Sequence, residues 1–341
     1  MRLTLRRKKE DDDERREYLD HKKEFFKEKK TRKKRGEITP WTRRERYLVL
    51  GVLLSTVVAS AILGMSAREW KLPNLPRLTL PKILGEETIV IEGNPKDVKE
   101  AEIVKKFESL TDPLSGVYGF FVLRLDDGSF FGVNEKEIFE AASLNKLPVM
   151  LAMYKAAEEG SINLSQKYTV KDEDRLSGNG RVTNAKAGIV FTYEELVVAM
   201  GKESDNTAFN AVKKILGEER ILATMREFNI PEFLLTKNQV APYDIGFIFK
   251  RIFEANDISR ETREALIDSM TETIYDDLIA KEMPVPVAHK YGALAHVRND
   301  SGIVFAEKPY VLVVMSKGII EKEADEVIPE FSRQAYEIES E

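Results

Sequence analysis

The stretch Phe139-Glu-Ala-Ala-Ser143-Leu-Asn-Lys146-Leu-Pro-Val149 sets a hydroxyl and an amine three residues apart, where a strand-rich segment gives way to a helix. If the helix begins near Ser143, residues i and i+3 share a face and the Lys146 amine reaches the Ser143 hydroxyl. A serine hydroxyl is a poor nucleophile until a neighbouring base takes its proton. A lysine shielded from water can be neutral enough to do so. Pro148 falls in the first helical turn, where a missing N–H costs least. Taken alone, the pair reads first as a helix cap followed by a solvated lysine.

The chain has 341 residues, 43% of them apolar, enough for one large domain with appendages. It contains no cysteine, which excludes disulfides, thiol nucleophiles and thiolate metal sites. The three histidines, His21, His289 and His296, form no cluster of metal-ligand spacing with acidic residues, so neither a metal nor an organic cofactor is implied.

Charge is distributed unevenly. Residues 1–46 hold 19 Lys/Arg and 11 Asp/Glu, against 34 and 47 in the remaining 295 residues. The first segment has too few apolar positions to bury a core and is expected to be a disordered arm. Its aromatic residues are too sparse to suggest nucleic-acid binding. Residues 47–67, from Tyr47 to Ala67, carry no charge. At ~1.5 Å per residue they would span about 30 Å of bilayer. Arg43, Arg44 and Arg46 lie on one flank, and Trp41 and Trp70 bracket the run. The expectation is a single-pass anchor with the N-terminus in the cytoplasm and the remainder outside. A 46-residue leader is too long for a cleaved signal peptide. Residues 68–96, with Pro73, Pro76, Pro81 and Pro95, read as an extended tether.

Residues 97–341 read as one globular domain. Helical periodicity over 98–110 precedes a hairpin, 117–125 and 130–133, joined at Asp127-Gly128. The Ser143 helix runs to about Glu159, and a loop-rich stretch follows with its tightest turn at Ser177-Gly-Asn-Gly180. Thr192-Tyr-Glu-Glu195 is a capping box for a short helix that Gly201 can close. Helices are expected over 207–216, 218–228, 243–255 and around 260–280. Strands are expected over 285–293, 301–306 and 310–316, and a last amphipathic helix over 321–338. The implied architecture is α/β (α+β). A five-stranded antiparallel sheet carries the terminal helices on one face and the helical block on the other.

Three further features give the Ser143–Lys146 pair its meaning. Ser204-Asp205-Asn206 lies between two helices, Lys290-Tyr291-Gly292 lies on the first returning strand, and Asn299-Asp300 opens the next. In this order the set resembles the class A-like serine β-lactamases and the penicillin-binding serine D,D-peptidases, whose pattern is Ser-x-x-Lys, Ser-Asp-Asn, Lys-Thr-Gly. The resemblance covers roughly 98–341, and its Ser-Asp-Asn match continues as Ser-Asp-Asn-Thr-Ala-x-Asn from Ser204 to Asn210. It implies Ser143 as nucleophile, Lys146 as base or proton relay and Ser204 as the hydroxyl that protonates the leaving nitrogen. Lys290 would join the catalytic set by supplying positive charge that keeps nearby amines neutral and attracts the substrate's carboxylate. Asn206, holding the side-chain amide, Tyr291 and Gly292 would bind the substrate. The backbone N–H groups of Ser143 and Ala293 would form the oxyanion hole. His289 is expected to point away from Lys290 and to be structural.

Two positions depart from the pattern. The β-lactamase pattern has a Glu, followed four residues later by an Asn, that activates the deacylating water. The stretch from Ile230 to Pro242 has no Glu-x-x-x-Asn, and Glu232 is its one carboxylate. Tyr291 stands where Thr or Ser is usual. The resemblance therefore implies a membrane-anchored serine hydrolase that cleaves a β-lactam or related amide through an acyl-enzyme on Ser143. A D,D-peptidase acting on D-Ala-D-Ala-type cell-wall peptides is the alternative, and a non-catalytic β-lactam or peptidoglycan sensor the second. The sequence leaves the oligomeric state open.

Overall fold

The computed structural model describes residues 47, 49–50, 52–58, 95–254 and 258–341. The expectations for the arm at 1–46, for most of the tether and for most of the 47–67 run lie outside the described residues. The described part of that run, 47, 49–50 and 52–58, is helical. Among the described residues no helix is long and apolar enough to cross a membrane. The chain divides into two units, Met1–Glu87 and Thr88–Glu341. The second unit carries the Ser143 segment.

This unit opens with α1 (Pro95–Thr111) and the hairpin β1 (Val117–Arg124) and β2 (Phe130–Val133). Gly128, at φ +75°, makes the turn between those strands as the Asp-Gly pair predicts. Then come β3 (Phe139–Glu140), a 3-10 turn (Ala142–Lys146) and α2 (Leu147–Glu158). The Ser143 segment is thus a tighter 3-10 helix that runs into α2, with Pro148 in the first turn of the latter.

The helical block follows. It comprises β4 (Lys167–Thr169), α3 (Arg181–Asn184), β5 (Val190–Thr192), α4 (Tyr193–Lys202), α5 (Asn206–Leu216) and α6 (Glu218–Glu227), then α7 (Phe233–Thr236), β6 (Gln239–Val240), α8 (Pro242–Glu254) and α9 (Arg260–Asp268). The chain returns through β7 (Val287–Leu294), β8 (Val297–Val304) and β9 (Tyr310–Lys317) and ends in α10 (Glu321–Ser340).

The five long strands form one antiparallel sheet in the order β2-β1-β9-β8-β7. Alternation along the strands sorts the core into two layers. Phe120, Val122, Leu312 and Val314 pack with Ile103, Phe107, Ile328 and Phe331 of the terminal helices. Phe121, Leu123, Val311, Val313 and Met315 face the helical block. Rings of Phe107, Phe120 and Phe331 meet at centroid distances of 4.6–4.9 Å.

Three local expectations change. The helix expected around 260–280 stops at Asp268, because the following residues form a loop whose backbone is hydrogen-bonded to other elements. The strand expected from 301 begins at Val297, paired in full with β7. Gly201 does not end α4. It lies inside the helix, where a Cβ would collide with the carbonyl of Ser269, so its role is close packing. The Thr192 capping box forms as read, with Glu195 N–H bonded to Thr192 Oγ1 and Thr192 N–H to Glu195.

Candidate active site

Ser143 lies in the 3-10 turn, where Ala142 at φ +51° is a non-glycine residue in the left-handed region. Such a backbone costs of order 1–3 kcal/mol and needs support from its surroundings. Asn299 of β8 supplies some. Its Nδ2 donates to Glu140 O at 2.7 Å, and its Oδ1 accepts from Ser316 N–H at 3.0 Å. Gly292 of the edge strand β7 supplies more, because a Cβ there would lie 3.0 Å from Ala141 O and 3.1 Å from Ser143 N. A side chain there would crowd the nucleophile's backbone, and the bare α-carbon of glycine lets β7 approach it without that crowding. Ala293 follows on the same strand.

Lys146 Nζ lies 2.8 Å from Ser143 Oγ and 2.8 Å from Asn206 Oδ1. Its side chain is buried, and burial lowers its pKa to about 8, against the opposing influence of the Asp205 carboxylate. An amine poised there can lose its proton near neutrality, accept the Ser143 proton on its lone pair and still donate to Asn206. Lys290 is also buried. Burial foremost, then the charge of Lys146, pushes it well below the ordinary lysine range. That opposes the standing positive charge that the resemblance implies for it. A carboxylate arriving beside it would favour the proton.

Ser204 also sits at φ +51°, and its Oγ is buried without a hydrogen-bond partner among the described residues. Asp205 caps α5 by accepting from Ala208 N–H and also binds Val182 N–H, Thr183 N–H and Thr183 Oγ1. That carboxylate holds the Ser204 turn against α3. Asn206 Nδ2 donates to Ser177 O at 2.7 Å. The turn at Ser177 thus lies on the Asn206 side chain, and Gly178, at φ +144°, would set a Cβ 2.6 Å from Asn206 Nδ2.

The stretch from Ile230 to Pro242 contains a contact that sequence reasoning missed. Glu232 is exposed and paired with Arg226 at 2.7 Å. The residue that meets the Ser143 turn is Asn238, whose carbonyl accepts from Ala141 N–H at 2.8 Å and whose Oδ1 accepts from Asn145 Nδ2 at 3.1 Å. Four residues earlier stands Leu234, fully buried. An Asn four residues after an apolar position was the available signal.

Beneath Lys290 lies a polar group. His289 Nδ1 contacts Asp300 at 2.9 Å and its Nε2 contacts Asp276 at 2.9 Å. Burial opposes its proton, but Asp300 and Asp276 together raise it to about 9. The folded chain therefore holds a proton that the unfolded chain releases near 6.5. The stabilisation is complete below pH 6.5 and is lost as pH rises through about 9. Lys146 acts in the opposite sense, its penalty easing as pH rises beyond about 8. Urea unfolding across this window should show wild-type stability falling relative to His289→Gln, by up to about 3 kcal/mol. Equal pH slopes in the two proteins would refute the assignment.

A family model described as the beta-lactamase enzyme family matches residues 102–338. Beta-lactamase 3 of Bacillus cereus is 27% identical over 231 residues, 62% of this chain and 72% of the relative. Two solved structures share the fold. One is a PBP-A mutant described as an acyl-enzyme complex with penicillin-G (24% identical, TM-score 0.63, 71% of this chain and 96% of that one). The other is a beta-lactamase from Sphaerobacter thermophilus DSM 20745 (21% identical, TM-score 0.64, 70% and 96%).

Proposed function

The chain belongs to the beta-lactamase enzyme family, a family of serine hydrolases, and from that premise we propose that Ser143 is acylated by a β-lactam or a related amide. The observation that carries the reading is the buried Lys146 amine 2.8 Å from Ser143 Oγ. Neutral Lys146 takes the hydroxyl proton as Ser143 attacks the carbonyl, and the N–H groups of Ser143 and Ala293 receive the oxyanion. The scissile C–N bond breaks as Ser204 hands its proton to the departing nitrogen and is reprotonated by the Lys146 ammonium, which returns that amine to its neutral state. A buried hydroxyl without a partner costs roughly 1–3 kcal/mol, which a bond to that nitrogen would offset. Asn206 orients the donor's amide, and Lys290 with Tyr291 and Gly292 receives its carboxylate edge.

One observation favours the D,D-peptidase reading over a fast β-lactamase. The residues that meet the Ser143 turn from the 230–242 stretch include no carboxylate, since Glu232 pairs with Arg226 on the surface. An adduct without a base to activate water persists. A non-catalytic sensor would share that persistence but would release no product.

We extend the proposal to location, with residues 47–67 as a membrane anchor and the hydrolase outside the cytoplasm. The uncharged run between Arg46 and Arg68 supports this, as do the exposed apolar side chains of Leu50, Val52, Leu53, Leu54, Val57 and Val58.

Full-length protein incubated with a fluorescent penicillin should gain one covalent adduct, absent in Ser143→Ala. Rapid disappearance of the label would support a β-lactamase, and a lasting label with D-alanine release from a stem-peptide mimic supports a peptidase. A lasting label without release leaves a sensor, and no label at all ends the acyl-enzyme reading.

A further inference from the structure

The loop between α9 and β7 carries Tyr275, which no sequence motif singles out. Its ring stacks on Tyr291, with centroids 4.9 Å apart and planes 10° from parallel. Its hydroxyl accepts a hydrogen bond from Asn179 Nδ2 at 3.3 Å. Asn179 belongs to the Ser177–Gly180 turn that lies on Asn206, whereas Tyr291 belongs to β7. The bond therefore joins the helical wall of the site to its sheet wall.

Taken in order, the contacts close a circuit. Ser143 meets Lys146, Lys146 meets Asn206, and Asn206 Nδ2 holds the carbonyl of Ser177. Asn179 then meets Tyr275, Tyr275 lies on Tyr291, and Gly292 returns to the backbone of Ser143. A donor approaching from this side must pass within the circuit or part the 3.3 Å bond, its longest hydrogen bond.

The loop that presents Tyr275 is firmly held. Ile274 N–H donates to Lys202 O at 3.0 Å and Tyr275 N–H to Thr273 Oγ1 at 3.1 Å. Asp276 contacts His289 at 2.9 Å, and Ile279 N–H donates to Asp300 at 3.1 Å. With pins on both sides of it, Tyr275 can yield by side-chain rotation at less cost than by loop movement. Asn179 is exposed and its bond is long, so the link is one that a ligand of the right shape can open.

We propose that Asn179 and Tyr275, backed by Tyr291, form a latch across the mouth that selects acyl donors slender beside their carboxylate. The inference rests on the acyl-enzyme reading of Ser143 and narrows its substrate class. The latch stands on the Lys290–Tyr291 side, where the donor's carboxylate would lie. A linear peptide ending in a small D-residue presents little bulk there. A bicyclic lactam with a large arm on the ring carbon next to the carboxylate meets the tyrosine pair.

Nitrocefin and cephalothin test this, because they carry the same thienylacetamido arm and differ at that ring carbon. Second-order acylation of Ser143 by each is measured by intact mass for wild type, Asn179→Ala and Tyr275→Phe. The inherent reactivities of the two drugs cancel when each variant's nitrocefin-to-cephalothin ratio is divided by the wild-type ratio. Tyr275→Phe keeps the stacked ring and removes the hydroxyl, so folding is preserved. Both variants are expected to raise the ratio by about fivefold or more, in line with the loss of one hydrogen bond. Adducts that form at an unchanged ratio overturn the latch and leave the acyl-enzyme reading standing. Adducts in the variants but not in wild type support the latch. No adduct in any of the three proteins overturns both.

Discussion

Replacing Lys146 with Ala is expected to slow acylation of Ser143 by penicillin about 10²–10⁴-fold, the range of a positioned general base. Among the described residues, Lys146 is the amine hydrogen-bonded to Ser143 Oγ. Lys290, the neighbouring buried lysine, donates to the Tyr291 carbonyl at 3.0 Å. The sign of the pH dependence follows from the role. Only the unprotonated amine accepts the serine proton, and its pKa is about 8. The wild-type acylation rate should fall about tenfold per pH unit below that value and level off above it. Lys146→Ala should be slow and free of this titration. Stopped-flow labelling across the range reads both quantities. A flat wild-type profile, or a variant within a few-fold of wild type, would remove Lys146 from the chemistry.

The second large effect concerns the fate of the adduct. Asn238 meets Asn145 and Ala141 beside the nucleophile, within the stretch where the resemblance expects the deacylation motif. The residue four positions earlier is Leu234, an alkyl side chain with no surface exposure. Leu234→Glu should shorten the lifetime of the penicillin adduct by at least about tenfold, by giving water a base near the ester. The substitution buries a carboxyl and should cost on the order of 2–4 kcal/mol of stability. Adduct mass is therefore followed beside a melting curve. A folded Leu234→Glu protein whose adduct lasts as long as the wild type's would count against this reading of the loop. Glu232→Gln, by contrast, should leave the lifetime unchanged, because that carboxylate is turned to Arg226.

The sheet and the terminal helices were legible because their signals are local. Alternation in Val117–Arg124 and Tyr310–Lys317 assigns each side chain to one face or the other, and the two core layers follow that assignment. The Thr192–Glu195 box was legible because both partners lie within one turn. Gly201 misled because a glycine near a helix end serves either as a stop or as a close contact, and the neighbour that decides, Ser269, is far along the chain. Within the site, Ser143 and Lys146 were legible as an i, i+3 pair. Asn238 and Tyr275 were not, since each acquires meaning only from a partner that no spacing rule connects to it.

By itself the sequence determined the order of the five long strands and the longer helices, the turn chemistry and the short-range pairing of a hydroxyl with an amine. These depend on residue type and on periods of two to four residues. Only the tertiary structure decided that this amine is buried enough to lose its proton near neutrality. It also decided that the two tyrosines stack beside the site and that the one nearby loop carboxylate faces away. Those outcomes depend on desolvation and on contacts between segments tens of residues apart, which arise only when the sheet and the helical block close on each other.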